Sequence, residues 1–140
     1  MFLSSSSLLL NRTASCAAST RTSFLLKATT TRFMSSVINL SDESAVSKFK
    51  TINNKSILYF TATWCPPCKM IAPIYDTLAK EHPSVAFGKV DVDENQDAAI
   101  KFEISAVPTF VMFDKEEVVD RFSGADQNQL KSLIEKLEEK

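Results

Sequence analysis

The run Ile57-Leu58-Tyr59-Phe60-Thr61-Ala62-Thr63-Trp64-Cys65-Pro66-Pro67-Cys68-Lys69-Met70 joins an apolar stretch to a tight pair of cysteines. Its first five residues, ILYFT, form a continuous apolar and aromatic run of strand length, as expected of a central strand buried on both faces. Pro66 and Pro67 suit the first turn of a helix, where their missing N–H groups leave nothing unpaired. Met70, Ile71, Ile74 and Leu78 then continue at helical spacing. Pro73 lies within that pattern and removes a bond to Lys69, so the spacing predicts a kink rather than a stop.

On the amino-terminal side, Val37–Leu40 reads as a short strand. Ser41, followed by Asp42 and Glu43, reads as a cap and acidic first turn, with Ala45, Val46 and Phe49 behind it and an end near Asn53 and Asn54. On the carboxyl side, Val85–Val92 reads as a strand, Ala98–Phe102 as a short helix, and Thr109–Phe113 with Val118–Phe122 as a hairpin. Leu130, Leu133, Ile134 and Leu137 mark one apolar stripe of a closing helix. The order β-α-β-α-β-α-β-β-α predicts an α/β three-layer sandwich whose mixed sheet is flanked by helices. Strands joined through helices are expected to run parallel, with the last hairpin adding an antiparallel edge.

The 140 residues, 44% of them apolar, suit one domain. No apolar run reaches the ~18 residues needed to span a membrane, so a soluble protein is expected. Charge divides the chain. Residues 1–34 hold Arg12, Arg21, Lys27 and Arg32 and no acid, a charge of +4; the rest, with 12 bases and 17 acids, carries −5. The leader is rich in Ser and Thr and has Leu8–Leu10 and Phe24–Leu26 as its apolar runs. It resembles an organelle transit peptide, residues 1–34, with a processing site around Arg32-Phe33-Met34-Ser35 and the domain at 35–140. A secretory signal would place its charge before the apolar run. The expected compartment is the mitochondrion, with a plastid, or the cytosol for translation from Met34, as alternatives. Asn11-Arg12-Thr13 and Asn54-Lys55-Ser56 match the glycosylation sequon.

Cys16 lies in the leader, which leaves Cys65 and Cys68. A structural zinc site needs about four ligands, and with His82 as the sole histidine the set is incomplete. A metal bridged between two chains stays open, and His82 reads as a surface cap at a helix end. A structural staple is weak because so short a loop removes little unfolded-state entropy. Redox chemistry fits better. Partial positive charge at a helix start favours a thiolate at Cys65, which is expected to be exposed, while Cys68, one turn in and buried, can reach it.

FTATWCPPCKMIAP after the buried strand, then KVDVDEN, SAVPTF and Gly124 ahead of the last helix, resemble a thioredoxin over about residues 37–138. YFTATWC with SAVPTF is most similar to the plant-type mitochondrial thioredoxin o branch. The resemblance implies a protein dithiol–disulfide oxidoreductase with Cys65 as attacker and Cys68 as resolver, no metal and no bound cofactor. It implies electrons from an NADPH-dependent thioredoxin reductase and protein disulfide substrates such as peroxiredoxins. No nucleic acid or membrane partner is expected of such a protein, which would act as a monomer. Trp64, Pro66, Pro67, Val107, Pro108 in cis, and Gly124 would form the substrate-binding surface. The fold can also serve as a redox-inert interaction module or hold an iron–sulfur cluster between subunits.

Two positions depart from the family pattern. Pro66 replaces the usual glycine, as in tryparedoxins and nucleoredoxins. Tyr59 stands where the family buries an aspartate that assists proton removal from the second cysteine. A tyrosine, with an unperturbed pKa near 10 raised further by burial, is expected to stay neutral, and Lys89 to stay protonated, so neither suits a base.

Overall fold

A computed structural model describes residues 36–140. The expected leader and processing site, Cys16 and the first sequon lie outside the described residues. The elements are β1 (Ile38–Asn39), α1 (Glu43–Ile52), β2 (Lys55–Thr61), α2 (Pro66–Glu81), β3 (Ala86–Asp91), α3 (Gln96–Lys101), β4 (Thr109–Asp114), β5 (Glu117–Ser123) and α4 (Gln127–Glu138). The five strands form one sheet in the order β1-β3-β2-β4-β5. β2 is central and buried from Ser56 to Thr61, as its unbroken apolar run requires. In the second sequon Asn54 is exposed, while Ser56 is fully buried.

Alternation along the strands divides the core into two layers. Ile57, Tyr59, Phe110 and Met112 meet Ile71, Tyr75 and Leu78 of α2 and Leu130, Ile134 and Leu137 of α4. On the opposite face Leu58, Phe60, Val90, Val111 and Phe113 meet Val46 and Phe49 of α1 and Ala98 of α3. The sheet lies between two pairs of helices, the expected three-layer sandwich.

Three local expectations are corrected. Helix α1 is capped by Asp42, not Ser41: Asp42 has the extended backbone of a cap, and its carboxylate accepts the Ala45 N–H at 2.8 Å. Helix α2 runs unbroken through Pro73, but its buried stripe is Ile71, Tyr75, Leu78 and Ala79, while Met70 is exposed and Ile74 only half-buried. Tyr75 belongs to that stripe because its hydroxyl finds two buried carbonyls, Ile57 at 3.1 Å and Gly88 at 3.0 Å. Finally, β3 is parallel to β2 and β1, but β4 runs antiparallel to β2 although α3 leads into it. The chain passes from β3 to the far side of β2 and re-enters the sheet at the end where β2 stops, pairing Thr109 with Phe60. This reversal carries Val107 and Pro108 to the cysteines.

Candidate active site

The site is built where β2 ends. Cys65 is the N-cap of α2, with Pro66 and Pro67 in its first turn. The unpaired N–H groups of a helix start seek an acceptor, and here the Cys68 N–H points to Cys65 Sγ at 3.2 Å. Cys65 and Cys68 are joined as a disulfide, with Cα atoms 5.3 Å apart. Their spacing of three residues puts both on one face of the first turn.

The expectation that Cys65 is exposed is corrected: in the disulfide state Cys65 is 2% and Cys68 1% exposed. Cys65 Sγ lies 3.7 Å from the Val107 carbonyl oxygen, so the loop before β4 covers it. The two cysteines still differ in their surroundings. Cys65 sits among Trp64, Pro66 and Pro67, all exposed, whereas the carbonyl of Cys68 accepts the Tyr59 hydroxyl at 2.9 Å in the core. That bond was not legible in the sequence, because it depends on Tyr59 of β2 facing α2. Burial raises the Tyr59 pKa above its ordinary value, a hydrogen bond with Thr61 opposes this, and the charge of Asp76 adds to it.

Trp64 is 66% exposed, yet its indole N–H donates to Asp93 Oδ2 at 2.9 Å. A large apolar ring is thus fixed at the surface beside Cys65. Asp93 was missed in the sequence, where it stands 29 residues from its partner; the unmet donor of an exposed indole was the one available hint. The Val107–Pro108 peptide bond is cis. The Pro108 carbonyl accepts the Gly124 N–H at 2.9 Å, and this bond brings the third loop alongside the second. Gly124 has φ +120°, a conformation that side chains disfavour, and no atom lies within 4 Å of where a Cβ would stand. Cys65, Cys68, Trp64, Pro66, Pro67, Val107, Pro108 and Gly124 therefore converge on one end of the sheet.

His82 lies elsewhere. It closes α2 as its C-cap residue, but the expectation of a surface cap is corrected: its ring is mostly buried and Nδ1 is 2.8 Å from Glu138 Oε2. Among the described residues no three His, Cys, Asp or Glu side chains group so as to hold a metal ion.

The Thioredoxin family profile matches residues 36–136. Thioredoxin H4 of Arabidopsis thaliana is 49% identical over 92 residues, 65% of this chain and 77% of the relative. Among solved structures, Fasciola hepatica thioredoxin superposes with a TM-score of 0.69 at 40% identity, over 71% of this chain and 97% of the other. A chain from a structure of the thiol-resolving mechanism of yeast mitochondrial 1-Cys peroxiredoxin via glutathione/thioredoxin systems gives a TM-score of 0.69 at 34% identity, over 72% of this chain and 95% of its own.

Proposed function

The chain belongs to the thioredoxin family and is a protein dithiol–disulfide oxidoreductase, and on that premise we propose how its residues divide the work. Cys65 is the attacker. In the reduced protein its sulfur stands at the amino end of a 16-residue helix, where the Cys68 N–H and the helix dipole favour the thiolate. The thiolate attacks a substrate disulfide, the Cys65–substrate mixed disulfide forms, and one substrate sulfur leaves. Cys68 then attacks Cys65 Sγ, the mixed disulfide breaks, and the second substrate sulfur leaves with the electron pair. The product is the Cys65–Cys68 disulfide.

Trp64 offers a fixed apolar platform for the substrate, with Pro66 and Pro67 beside it. The backbone at Val107, next to Cys65 Sγ, pairs with an extended substrate segment while Pro108 and Gly124 shape the adjoining wall. The observation that carries this reading is the Cys65–Cys68 bond at the helix start, facing Val107 and flanked by the exposed Trp64. Replacing Cys65 by Ser should abolish reduction of a protein disulfide such as insulin. Cys68→Ser should still attack and remain attached to its substrate. Normal turnover by Cys68→Ser would reverse the assignment, and recovery of its trapped partners would identify physiological targets.

Electrons are proposed to come from an NADPH-dependent thioredoxin reductase, with peroxiredoxins among the substrates. The chain matched in the work on the yeast mitochondrial 1-Cys peroxiredoxin supports the second point by similarity. A mitochondrial, o-type role is proposed from the basic, acid-free leader and from YFTATWC and SAVPTF.

A further inference from the structure

With Tyr59 in place of an acid, what removes the proton from Cys68? The thiol must ionise before it can attack, yet Cys68 is buried and the Tyr59 hydroxyl already donates to its carbonyl. In β2 and β3, residues paired across the parallel ladder share a face: Tyr59 with Lys89 and Thr61 with Asp91. Lys89 and Asp91 thus project toward the α2 side. There a cavity of about 380 Å³ is lined by Cys68 and Lys69 from α2, Thr61 from β2, and Lys89 and Asp91 from β3. A second cavity of about 290 Å³ shares Lys89 and Asp91 and reaches Asn39, Ser41 and Glu94 at the sheet edge. Asp91 therefore stands where a path from the edge meets the space behind Cys68.

We propose that Asp91 is the proton-relay residue of this thioredoxin, accepting the Cys68 thiol proton through water in the shared cavity. The proposal rests on Cys68 being the resolver. The space exceeds the ~30 Å³ that one water occupies in the liquid, and its walls are polar enough to hold several. One oxygen of Asp91 accepts the Asp93 N–H at 2.9 Å. The charged groups facing this space are Lys69 from α2, Lys89 and Asp91 from β3, and Glu94 at the outer rim; Asp76, farther along α2, acts on Tyr59. In the step itself the Cys68 S–H bond breaks and the proton passes through water to Asp91. The Cys68 thiolate then bonds to Cys65 Sγ, and the Cys65–substrate bond breaks with its electron pair on the substrate sulfur. That thiolate takes up a proton from the protonated Asp91 or from water, so no outside oxidant or reductant is needed.

The test is a single turnover of the reduced full chain with an aromatic disulfide that releases one coloured thiolate on attack and a second on resolution. The ratio of the second rate constant to the first is the readout. General bases contribute about 10²–10⁴-fold, and a water-bridged one belongs at or below the lower end. Asp91→Asn, which keeps an oxygen for the Asp93 N–H, should lower the ratio about ten-fold at neutral pH. The gap should close at alkaline pH, where Cys68 ionises without assistance. Asp91→Glu, which retains a carboxylate, should recover most of the ratio. A change under two-fold in Asp91→Asn, an equal loss at every pH, or a Glu variant no better than Asn would overturn the proposal. A second release by Cys68→Ser would instead remove the resolver assignment, which separates the two failures.

Discussion

The hydroxyl of Tyr59 ends on the carbonyl of Cys68, and that contact decides what the side chain can do. Being a donor there, and with its pKa raised by burial, it stays protonated throughout the working range. Tyr59→Phe should leave the resolution rate within a few-fold of wild type. It should lower stability by about 1 kcal/mol, the usual net value of a buried hydrogen bond, because the Cys68 carbonyl loses its side-chain donor. Thermal unfolding and the single-turnover ratio measure the two effects separately. A large loss of rate with unchanged stability would give the hydroxyl a chemical part. The charge state of Tyr59 was legible in the sequence from residue type and expected burial. Its partner was not, since nothing in the linear order says which carbonyl of α2 lies above β2. The same limit applied to Asp93 beneath Trp64 and to the cover that Val107 gives Cys65.

At the scale of elements, residue patterning located the strands and helices of the described residues, and errors arose where geometry depends on a neighbour. Met70 fits a helical apolar pattern as well as Tyr75 does, and only the positions of Ile57 and Gly88 show which one faces the sheet. The direction of β4 was likewise illegible, because a six-residue α3 can precede a strand of either sense. Gly88 in β3 went unnoticed for a related reason: a glycine in a strand signals a close approach but does not say of what. A Cβ there would stand 2.9 Å from Leu40 Cδ1, 3.0 Å from Leu58 Cδ2 and 3.1 Å from Phe49 Cε1. Gly88→Val should therefore cost about 1–3 kcal/mol through overpacking beneath α1, seen as a lower urea midpoint. The end of α4 is held by a different device. Lys55 Nζ donates to the Glu138 carbonyl at 2.6 Å, while the Glu138 carboxylate takes His82 on one oxygen and the Ser84 hydroxyl on the other. Burial works to raise the Glu138 pKa, but the hydrogen bonds from Ser84 and His82 and the charges of His82 and Lys55 hold it below its ordinary 4.5. A carboxylate with a depressed folded pKa stabilises the fold above its unfolded value and loses that contribution as pH falls through the folded one. Glu138→Gln should thus be less stable than wild type near neutrality, with the gap narrowing below about pH 4.5. Urea unfolding across an acid series would expose a constant gap, which would assign the effect to packing instead.

Across the whole molecule, the four separated segments recognised in the sequence meet at one end of the sheet because the chain leaves β2 and β3, enters β4 and leaves β5 there. The residue types and their order were legible. Their convergence required the antiparallel entry of β4, which places Val107 and Pro108 against the helix start and, through the Pro108 carbonyl, draws in Gly124. The proposed division between leader and domain belongs to this scale too, and it can be tested as a unit. The +4 charge of residues 1–34 opposes the −5 of the rest. If the leader serves only as an address, the chain from residue 35 onward should reduce insulin at the full-length rate. Its unfolding midpoint should lie within the roughly 4 °C that a change of about 1 kcal/mol would cause in a domain of this size. Residues 1–34 fused to a fluorescent reporter should carry it into mitochondria. Plastid fluorescence would reassign the organelle and leave the leader's role intact, whereas uniform cytosolic fluorescence would remove it. Loss of folding in the shortened chain would show that the leader contributes to the domain itself.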